Sequence, residues 1–472
     1  MKSLYLCKAQ VACFANDNDA FIPELWAQEG LAILEENMVI ANLVHRDFED
    51  EVRNFGDVVN TRRPGQFRIS RKKDGTTLSQ QDANATNVPV PLDQWFYTSF
   101  VIKDGEASKA FPDLVDIYLR PGMQSIARAV DRAVLGRVHN FVRTPAKRAG
   151  RLGNLTSLNS KDYLLEAREI LNVNKAPLDG RRLVLAPASE TALLKNDMFI
   201  KANERGDGGT ALETAMLGRI LGFETYMDQN VNYMAPTAEV AAGTLGADYA
   251  AGNTASMTVA VVDYDALNCW VNVAGNDQPT YCTARTLGGG GDDDTIAITL
   301  NEALKYAVVS GGAVTVYKSC AAKGDYAQYH SEAVVVDGWG VAPAVGQMVA
   351  FGTGGNRRVY TVIESWLSAA GEQSLLLDRP LEVAVANNAL CYPGPAGTLN
   401  LAFQRDSIAL VTRPLAVPNN VLGVMSHVGA YNNIAMRVSM QYDIQEGGTV
   451  VNLDILAGVA VLDQDLAVVF LG

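Results

Sequence analysis

Between residues 71 and 87 the chain reads Arg-Lys-Lys-Asp-Gly-Thr-Thr-Leu-Ser-Gln-Gln-Asp-Ala-Asn-Ala-Thr-Asn, with Leu78 its one large apolar side chain. Such a stretch cannot bury enough apolar surface to offset the entropy of ordering it in a core. The flanks read differently. Val58, Phe67 and Ile69 stand among Arg and Thr, and Val88, Val90 and Leu92 alternate strictly before Trp95, Tyr97 and the run from Phe100 to Ile102. Two strand-like runs joined by a long polar tip predict an extended hairpin that projects from its own domain. An arm of this kind buries little surface within one chain and needs a neighbour to pack on.

The segments around the hairpin predict mixed architecture. From Phe21 to Val52 the pattern is helical, with Pro23 suited to a first turn and Leu31, Leu34, Met38 and Ile40 supplying apolar faces. Pro112 and Pro121 each suit a first turn, predicting a short helix and then a long one from about Gly122 to Val142. Ile126, Val130, Ala133, Val134, Val138 and Phe141 recur three or four apart along the long helix. From Phe111 to Arg151 there are eight bases against three acids. Two readings of that charge stand side by side, a solvated helix face and a surface in which Arg128, Arg132 and Arg137 face nucleic acid or an acidic partner.

From Ser160 the texture is α/β, with helices starting at Ser160 and Ser189 and a short buried strand from Leu183 to Ala186. At about Tyr233 it changes to short Val-, Ala- and Thr-rich alternating runs that continue to about Ala396, which predicts an all-β barrel or sandwich inserted into the α/β domain. That insert has sixteen acids and seven bases, so most of the net charge of −13 lies there. Strands are expected again at 399–403, 407–412, 436–442, 449–455, 459–461 and 466–471, and no solenoid-type repeat is apparent.

Composition excludes several classes. With 472 residues, 48% apolar and 19% charged, the chain is globular and long enough for two or three domains. No apolar run approaches the roughly 18 residues that cross a bilayer as a helix. Lys8 interrupts the apolar stretch after Lys2, and no cleavage pattern follows Ala15, so no secretory leader is expected. Cys7, Cys13, Cys269, Cys282, Cys320 and Cys391 show no metal-type spacing and read as reduced thiols or filler, which fits a cytoplasmic origin.

Catalytic and cofactor signatures are missing as well. His45, His139, His330 and His427 form no HExxH-type pair. Gly288–Gly291 followed by Asp292, Asp293 and Asp294 lacks EF-hand spacing and reads as a solvated loop. The run from Gly352 to Arg358 lacks the Lys-Ser/Thr of a phosphate loop and reads as a hairpin turn. With no G-x-S-x-G serine and no cysteine in a nucleophile context, no enzyme, cofactor or metal site is expected.

The order of several short motifs resembles the P22-like coat protein family of tailed double-stranded DNA phages, whose members have the HK97-type capsid fold. The motifs are Phe-Ile-Pro-Glu-Leu-Trp at 21–26, Val-His-Arg-Asp-Phe-Glu at 44–49, Gly-Asp-Val-Val-Asn-Thr-Arg-Arg-Pro at 56–64 and Val-Pro-Val-Pro-Leu-Asp at 88–93. Phe-Pro-Asp-Leu follows at 111–114, then Phe403, Val-Thr-Arg-Pro-Leu at 411–415, Tyr442-Asp443 and Asp-Ile-Leu-Ala-Gly at 454–458. The resemblance covers 21–229 and 398–472, and the insert matches that family's extra β-domain by position and strand texture only.

The resemblance implies an α+β chain divided into an N-terminal arm (1–52), an extended hairpin loop (53–106), a peripheral domain with a spine helix (107–158), an axial domain in two parts (159–232 and 397–435), an inserted β-domain (233–396) and C-terminal peripheral strands (436–472). It implies a major capsid protein assembled in the bacterial host cytoplasm and resident in the virion. Pentamers and hexamers of the chain would close into an icosahedral shell, with a scaffolding protein, a portal, a decoration protein and non-specifically contacted packaged DNA as partners, and no membrane. The acidic insert would then lie outside, where its charge does not oppose DNA.

Candidate contacts between subunits are Arg62, Arg63, Arg71, Lys72 and Lys73 of the hairpin, and the loop Asp292, Asp293 and Asp294, for which Arg357 and Arg358 of a neighbour are candidate partners. Arg128, Arg132 and Arg137 are the candidates for an inner face. The alternatives are an encapsulin-like compartment, which the large insert and the coat-like motif order disfavour, and a secreted β-rich surface protein, which leaves the spine helix unexplained.

Overall fold

The structure is a computed structural model that describes residues 23–46, 58–63, 69, 71, 86–104, 118–138, 141, 151–154, 160–200, 215, 217–235, 239–250, 257–261, 270–273, 280–287, 296–300, 304, 307–317, 320–339, 342–351, 358–369, 371–392, 397–417, 424–431, 434–445 and 447–472. Helix α1 (Pro23–Asn37) runs into a 3-10 turn at Ile40–Asn42. Strands β1 (Val58–Arg63) and β2 (Thr86–Pro91) pair antiparallel, Val59 opposite Val90 and Arg63 opposite Thr86, and form a two-stranded sheet by themselves. The predicted hairpin is therefore present at its base, and its tip, including Lys72 and Lys73, lies outside the described residues.

Strand β3 (Gln94–Lys103) leaves the hairpin for another sheet, and helix α2 (Arg120–Leu135) follows, with Pro121 in its first turn where the missing N–H costs nothing. Met123, Ile126, Ala127, Val130, Ala133 and Val134 are buried on one stripe, while Arg128 is exposed. Helix α2 is shorter than its apolar periodicity predicts. It ends at Gly136, whose N–H bonds to the Arg132 carbonyl at 2.8 Å, and Val138 and Phe141 continue the buried stripe in 3-10 geometry. The helix expected after Pro112 lies outside the described residues.

Next come β4 (Arg151–Asn154), α3 (Ser160–Val173), β5 (Arg181–Leu185), α4 (Pro187–Leu194), α5 (Asp197–Ile200), β6 (Arg219–Ile220), β7 (Phe223–Met227) and β8 (Tyr233–Met234). The chain then forms two closed six-stranded barrels in place of the single barrel or sandwich that its composition predicts. The first contains β9 (Glu239–Leu245), β10 (Met257–Val261), β11 (Trp270–Val273), β12 (Thr280–Leu287), β13 (Ile296–Leu300) and β14 (Ala313–Tyr317). The second contains β15 (Cys320–Ala322), β16 (Val334–Asp337), β17 (Met348–Phe351), β18 (Arg358–Ala369), β19 (Glu372–Leu377) and β20 (Leu390–Tyr392).

The barrels are a tandem repeat. Around each wall the strands run first, second, fifth, fourth, third, sixth. Tyr249 bridges Val308 in one, and Tyr326 bridges Val385 in the other. Asp248 accepts the Ser310 N–H at 2.6 Å, and Asp325 accepts the Asn387 N–H at 2.8 Å. Each of these residues is 77 positions from its counterpart. Buried Met257, Ile298 and Leu304 correspond in the same way to buried Val334, Leu375 and Leu381. The match lies in burial and backbone bonding more than in residue identity, which is why a search for sequence self-similarity does not reveal it.

Strand β21 (Gly397–Gln404) returns beside β8, with Gly397 opposite Met234, so both barrels leave and re-enter the fold at adjacent points. The final strands are β22 (Ile408–Arg413), β23 (Met425–Tyr431), β24 (Ile434–Asp443), β25 (Gly448–Val461) and β26 (Ala467–Leu471). One mixed sheet has the order β4-β26-β21-β5-β7-β6, with β8 on β21. Both its faces are buried, Leu183 and Leu185 under α3 and Val184 toward α2. The other sheet has β25 with β3 along one edge and β24 and then β22 along successive parts of the other, and α1 and α2 cover one of its faces. Two expected boundaries shift as a result. β26 belongs to the mixed sheet and not with its sequence neighbours, while β22 joins the sheet of β25.

Strand β25 also replaces the two strands expected at 449–455 and 459–461. Gly458 reads as a break in the sequence, yet it lies mid-strand opposite Val411. A Cβ there would fall 2.3 Å from the Pro91 carbonyl oxygen, because the end of the hairpin crosses β25 at this point. We predict that Gly458→Ala displaces the hairpin base and lowers unfolding free energy by about 1–3 kcal/mol in urea titrations; an unchanged midpoint contradicts the close approach.

Candidate functional site

The hairpin base rests on its own subunit through Val59 and Val90, which pack on Ala409 and Val411. Among the described residues β1 and β2 pair with no other strand. Strand β3 points Phe96, Phe100 and Ile102 toward the core, where Phe100 stacks on Trp26 and Tyr118 with ring centroids 6.4 and 5.6 Å apart. Its other face leaves Trp95 and Tyr97 at 59% and 70% exposure beside the hairpin exit.

A buried polar junction joins the hairpin exit, α2 and the second barrel. Past the end of α2, Arg137 Nη1 donates to Glu382 Oε1 at 2.8 Å. Arg379 Nε donates to the same oxygen at 2.9 Å, its Nη1 to Asp378 at 2.9 Å, and its guanidinium lies 4.7 Å from the Tyr360 ring centroid. Asp378 also accepts the Thr361 N–H at 2.9 Å, and Asn232 donates to both Thr361 Oγ1 and the Arg132 carbonyl. Gly136 lies against this wall, since a Cβ there would be 3.0 Å from Asp378 and Thr361 oxygens.

Electrostatics bind the junction together. Burial alone would raise the Glu382 carboxyl, but Arg379 and Arg137 hold it below its ordinary value. Burial lowers Arg137, with Arg379 pushing the same way and Glu382 opposing. At the hairpin exit burial raises Asp93, while Arg137 and Arg379 pull it down.

A second buried site ties α1 to α2. Asp131 is fully buried on the apolar stripe of α2 and accepts the Val39 and Ala41 N–H groups, each at 3.0 Å. Burial pushes its carboxyl up to about 7, and the nearby buried Asp228 pushes the same way. Burial raises Asp228 too, against bonds from Asn230 and the charge of Arg132.

The candidates from sequence fall in different places. Arg128 is exposed on α2 and Arg132 is half-buried, but Arg137 is buried and committed to Glu382, because α2 ends and the chain turns toward the second barrel. It therefore cannot share an open face with the other two. Arg358 opens β18 with its Nε 3.4 Å from Glu382. Arg71 is exposed, Arg62 and Arg63 lie in β1, and Lys72, Lys73, Asp292, Asp293, Asp294 and Arg357 are outside the described residues. Asp131, Asp228, Asp378, Arg379 and Glu382 were missed; an acid inside an apolar helical stripe was the one available signal for Asp131.

Among the described residues no group of three or more His, Cys, Asp or Glu could hold a metal ion, and no helix is long and apolar enough to cross a membrane. No protein-family model matches the sequence, and no curated protein does. The chain is similar to a solved structure from Mycobacterium phage Che8, at 12% identity over 92% of this chain and 90% of that one, with TM-score 0.43. It is also similar to the capsid of the cyanophage P-SCSP1u, at 11% identity over 92% and 88% with TM-score 0.45. A third similar structure is the mature capsid of bacteriophage PhiM1, at 10% identity over 89% and 83% with TM-score 0.40.

Two outcomes test these sites. Both carboxyls of the Asp131–Asp228 pair are raised in the folded chain, so the stability they contribute is fully present below their ordinary value of 3.8 and is lost as pH rises, for Asp131 through about 7. The urea midpoint should therefore fall between about pH 4 and about pH 7, and Asp228→Asn should flatten that fall. Equal slopes in the two proteins contradict the coupling. Asp378→Ala leaves the fully buried Arg379 with one carboxylate instead of two and should cost about 3 kcal/mol in denaturant unfolding; a loss below about 1 kcal/mol contradicts the junction's role.

Proposed function

We propose that this chain is the major capsid protein of a tailed double-stranded DNA phage, with an HK97-type fold whose peripheral and axial parts are the β25 sheet and the mixed sheet. The observation that carries this reading is the hairpin of β1 and β2, a two-stranded sheet by itself in which Val59 and Val90 pack on Ala409 and Val411. An isolated two-stranded ribbon is marginal in water, so its length makes physical sense when a second copy covers it. The bases Arg62, Arg63, Arg71, Lys72 and Lys73 suit a neighbour's acidic surface. Identical subunits arranged head to tail in rings of five and six need two different complementary faces, and a projecting arm with its receiving groove supplies them.

In this reading the tandem barrels are the family's inserted domain, held by the Arg137–Glu382 junction and carried on the outside of the shell. The Asp292–Asp294 loop reaches a neighbouring capsomer, where Arg357 is the candidate cation. Arg128 and Arg132 face inward, toward scaffold during assembly and packaged DNA afterwards, and portal and decoration proteins complete the particle.

Imaging of the purified chain by negative-stain microscopy, with sedimentation to size it, tests the reading. The native chain should form closed shells. Arg62→Glu, Arg63→Glu and Arg71→Glu together should leave circular dichroism unchanged and abolish shells. A native chain that remains monomeric at every concentration and salt, or a triple variant that assembles normally, contradicts it.

A further inference from the structure

The repeat of the barrels provides an internal comparison. Cys320 and Cys391 stand directly opposite one another in antiparallel β15 and β20, the first and last strands of the second barrel. Both are buried, and the Cys320 thiol donates to the Cys391 carbonyl at 3.1 Å. The equivalent positions of the first barrel, 77 residues earlier, are Gly243 and Val314, which pair with each other in the same way. One copy of the repeat therefore has cysteine at both halves of a cross-strand pair, and the other copy has it at neither.

The spacing suits a covalent bond. Ala322 donates to the Ala389 carbonyl at 2.9 Å. Alternation along the ladder then makes Cys320 and Cys391 a hydrogen-bonded pair too, with Cα atoms about 5.5 Å apart. Disulfides span Cα separations of roughly 4.4–6.8 Å, and closing this one draws the two Cβ atoms from about 5.5 Å to about 4 Å apart, a local shift of the short end strands. Residues opposite each other across a ladder also share a face of the sheet, so both sulfurs point into the barrel. Burial raises the Cys391 thiol, and Cys320 beside it pushes the same way.

We propose that Cys320 and Cys391 are a latent cystine, closed by a small peroxide into a disulfide that ties the first strand of the anchored barrel to its last. The Cys320 thiolate attacks one peroxide oxygen, breaking the O–O bond and leaving a sulfenic acid and a hydroxide that takes up a proton. The Cys391 sulfur then displaces the hydroxyl from the Cys320 sulfur, and its own proton leaves with that hydroxyl as water. Two thiols lose two electrons in total, and one peroxide becomes two waters. A small oxidant is required because the sulfurs are buried, and the reaction quickens with rising pH because thiolate is the nucleophile. The staple closes the seam between β15 and β20, whose strands are three residues each, and constrains the chain between them when the barrel opens.

The test uses the full chain with Cys7, Cys13, Cys269 and Cys282 replaced by serine, purified in reductant and exposed to hydrogen peroxide under native conditions. After denaturation and alkylation, the expected result is a mass lower by two hydrogens, no alkyl group on either cysteine, and one non-reduced peptide joining Cys320 to Cys391. The melting transition should rise by on the order of 5 °C and return on reduction. The same treatment of Cys391→Ala should give neither change. Two alkylatable thiols after oxidation, or stable oxygen adducts without a crosslink, overturn the proposal. These outcomes do not depend on shell formation, so the staple and the capsid reading fail separately.

Discussion

An aspartate sealed inside an apolar helix face must find donors or lose its charge, and Asp131 does some of each. Its carboxyl receives two consecutive-turn N–H groups from the segment after α1, while burial and Asp228 raise it to about 7. The bond fixes where α1 crosses α2, and with it the shared core that the two helices make over β23, β24 and β25. Six residues later, just past the C-terminal end of α2, Arg137 places the same demand, and Glu382 of the second barrel answers it. The C-terminal part of one helix therefore sets the position of an N-terminal element and of a domain nearly 250 residues away, because two buried charges six residues apart each have a single arrangement of partners.

The barrels show how a duplicated unit takes on different surroundings. Their walls and their Asp–Tyr bonding are the same, but the corner formed by Asp378, Arg379 and Glu382 docks on α2. Seventy-seven positions earlier the first barrel has Asn301, Glu302 and Lys305, which exchange the signs of the last two charges and cannot meet Arg137 in the same way.

Much of this was legible in the sequence where a period or a breaker spoke for itself. The polar stretch after Arg71 announced a hairpin, and the apolar spacing from Ile126 to Phe141 announced a helix. Gly458 misled, because a glycine required by the close approach of another strand looks the same as one that ends a strand. The repeat was hidden because Met257 and Val334, or Ile298 and Leu375, need only be apolar and inward-facing. Arg137 misled most: it was grouped with Arg128 and Arg132 on one basic surface, but the helix ends at Gly136 and Arg137 is buried against Glu382. The junction partners were illegible because Asn232, Asp378 and Glu382 reach the end of α2 only through long-range topology.

The central claim is that the hairpin is half of an interface between copies of this chain. A cryo-electron microscopy map of particles assembled from the purified protein tests it most directly. The account predicts rings of five and six copies in which β1 and β2 lie across an adjacent subunit, with their basic residues against its acidic side chains. A map in which the hairpin folds back on its own subunit, or in which adjacent copies meet without it, would contradict that claim.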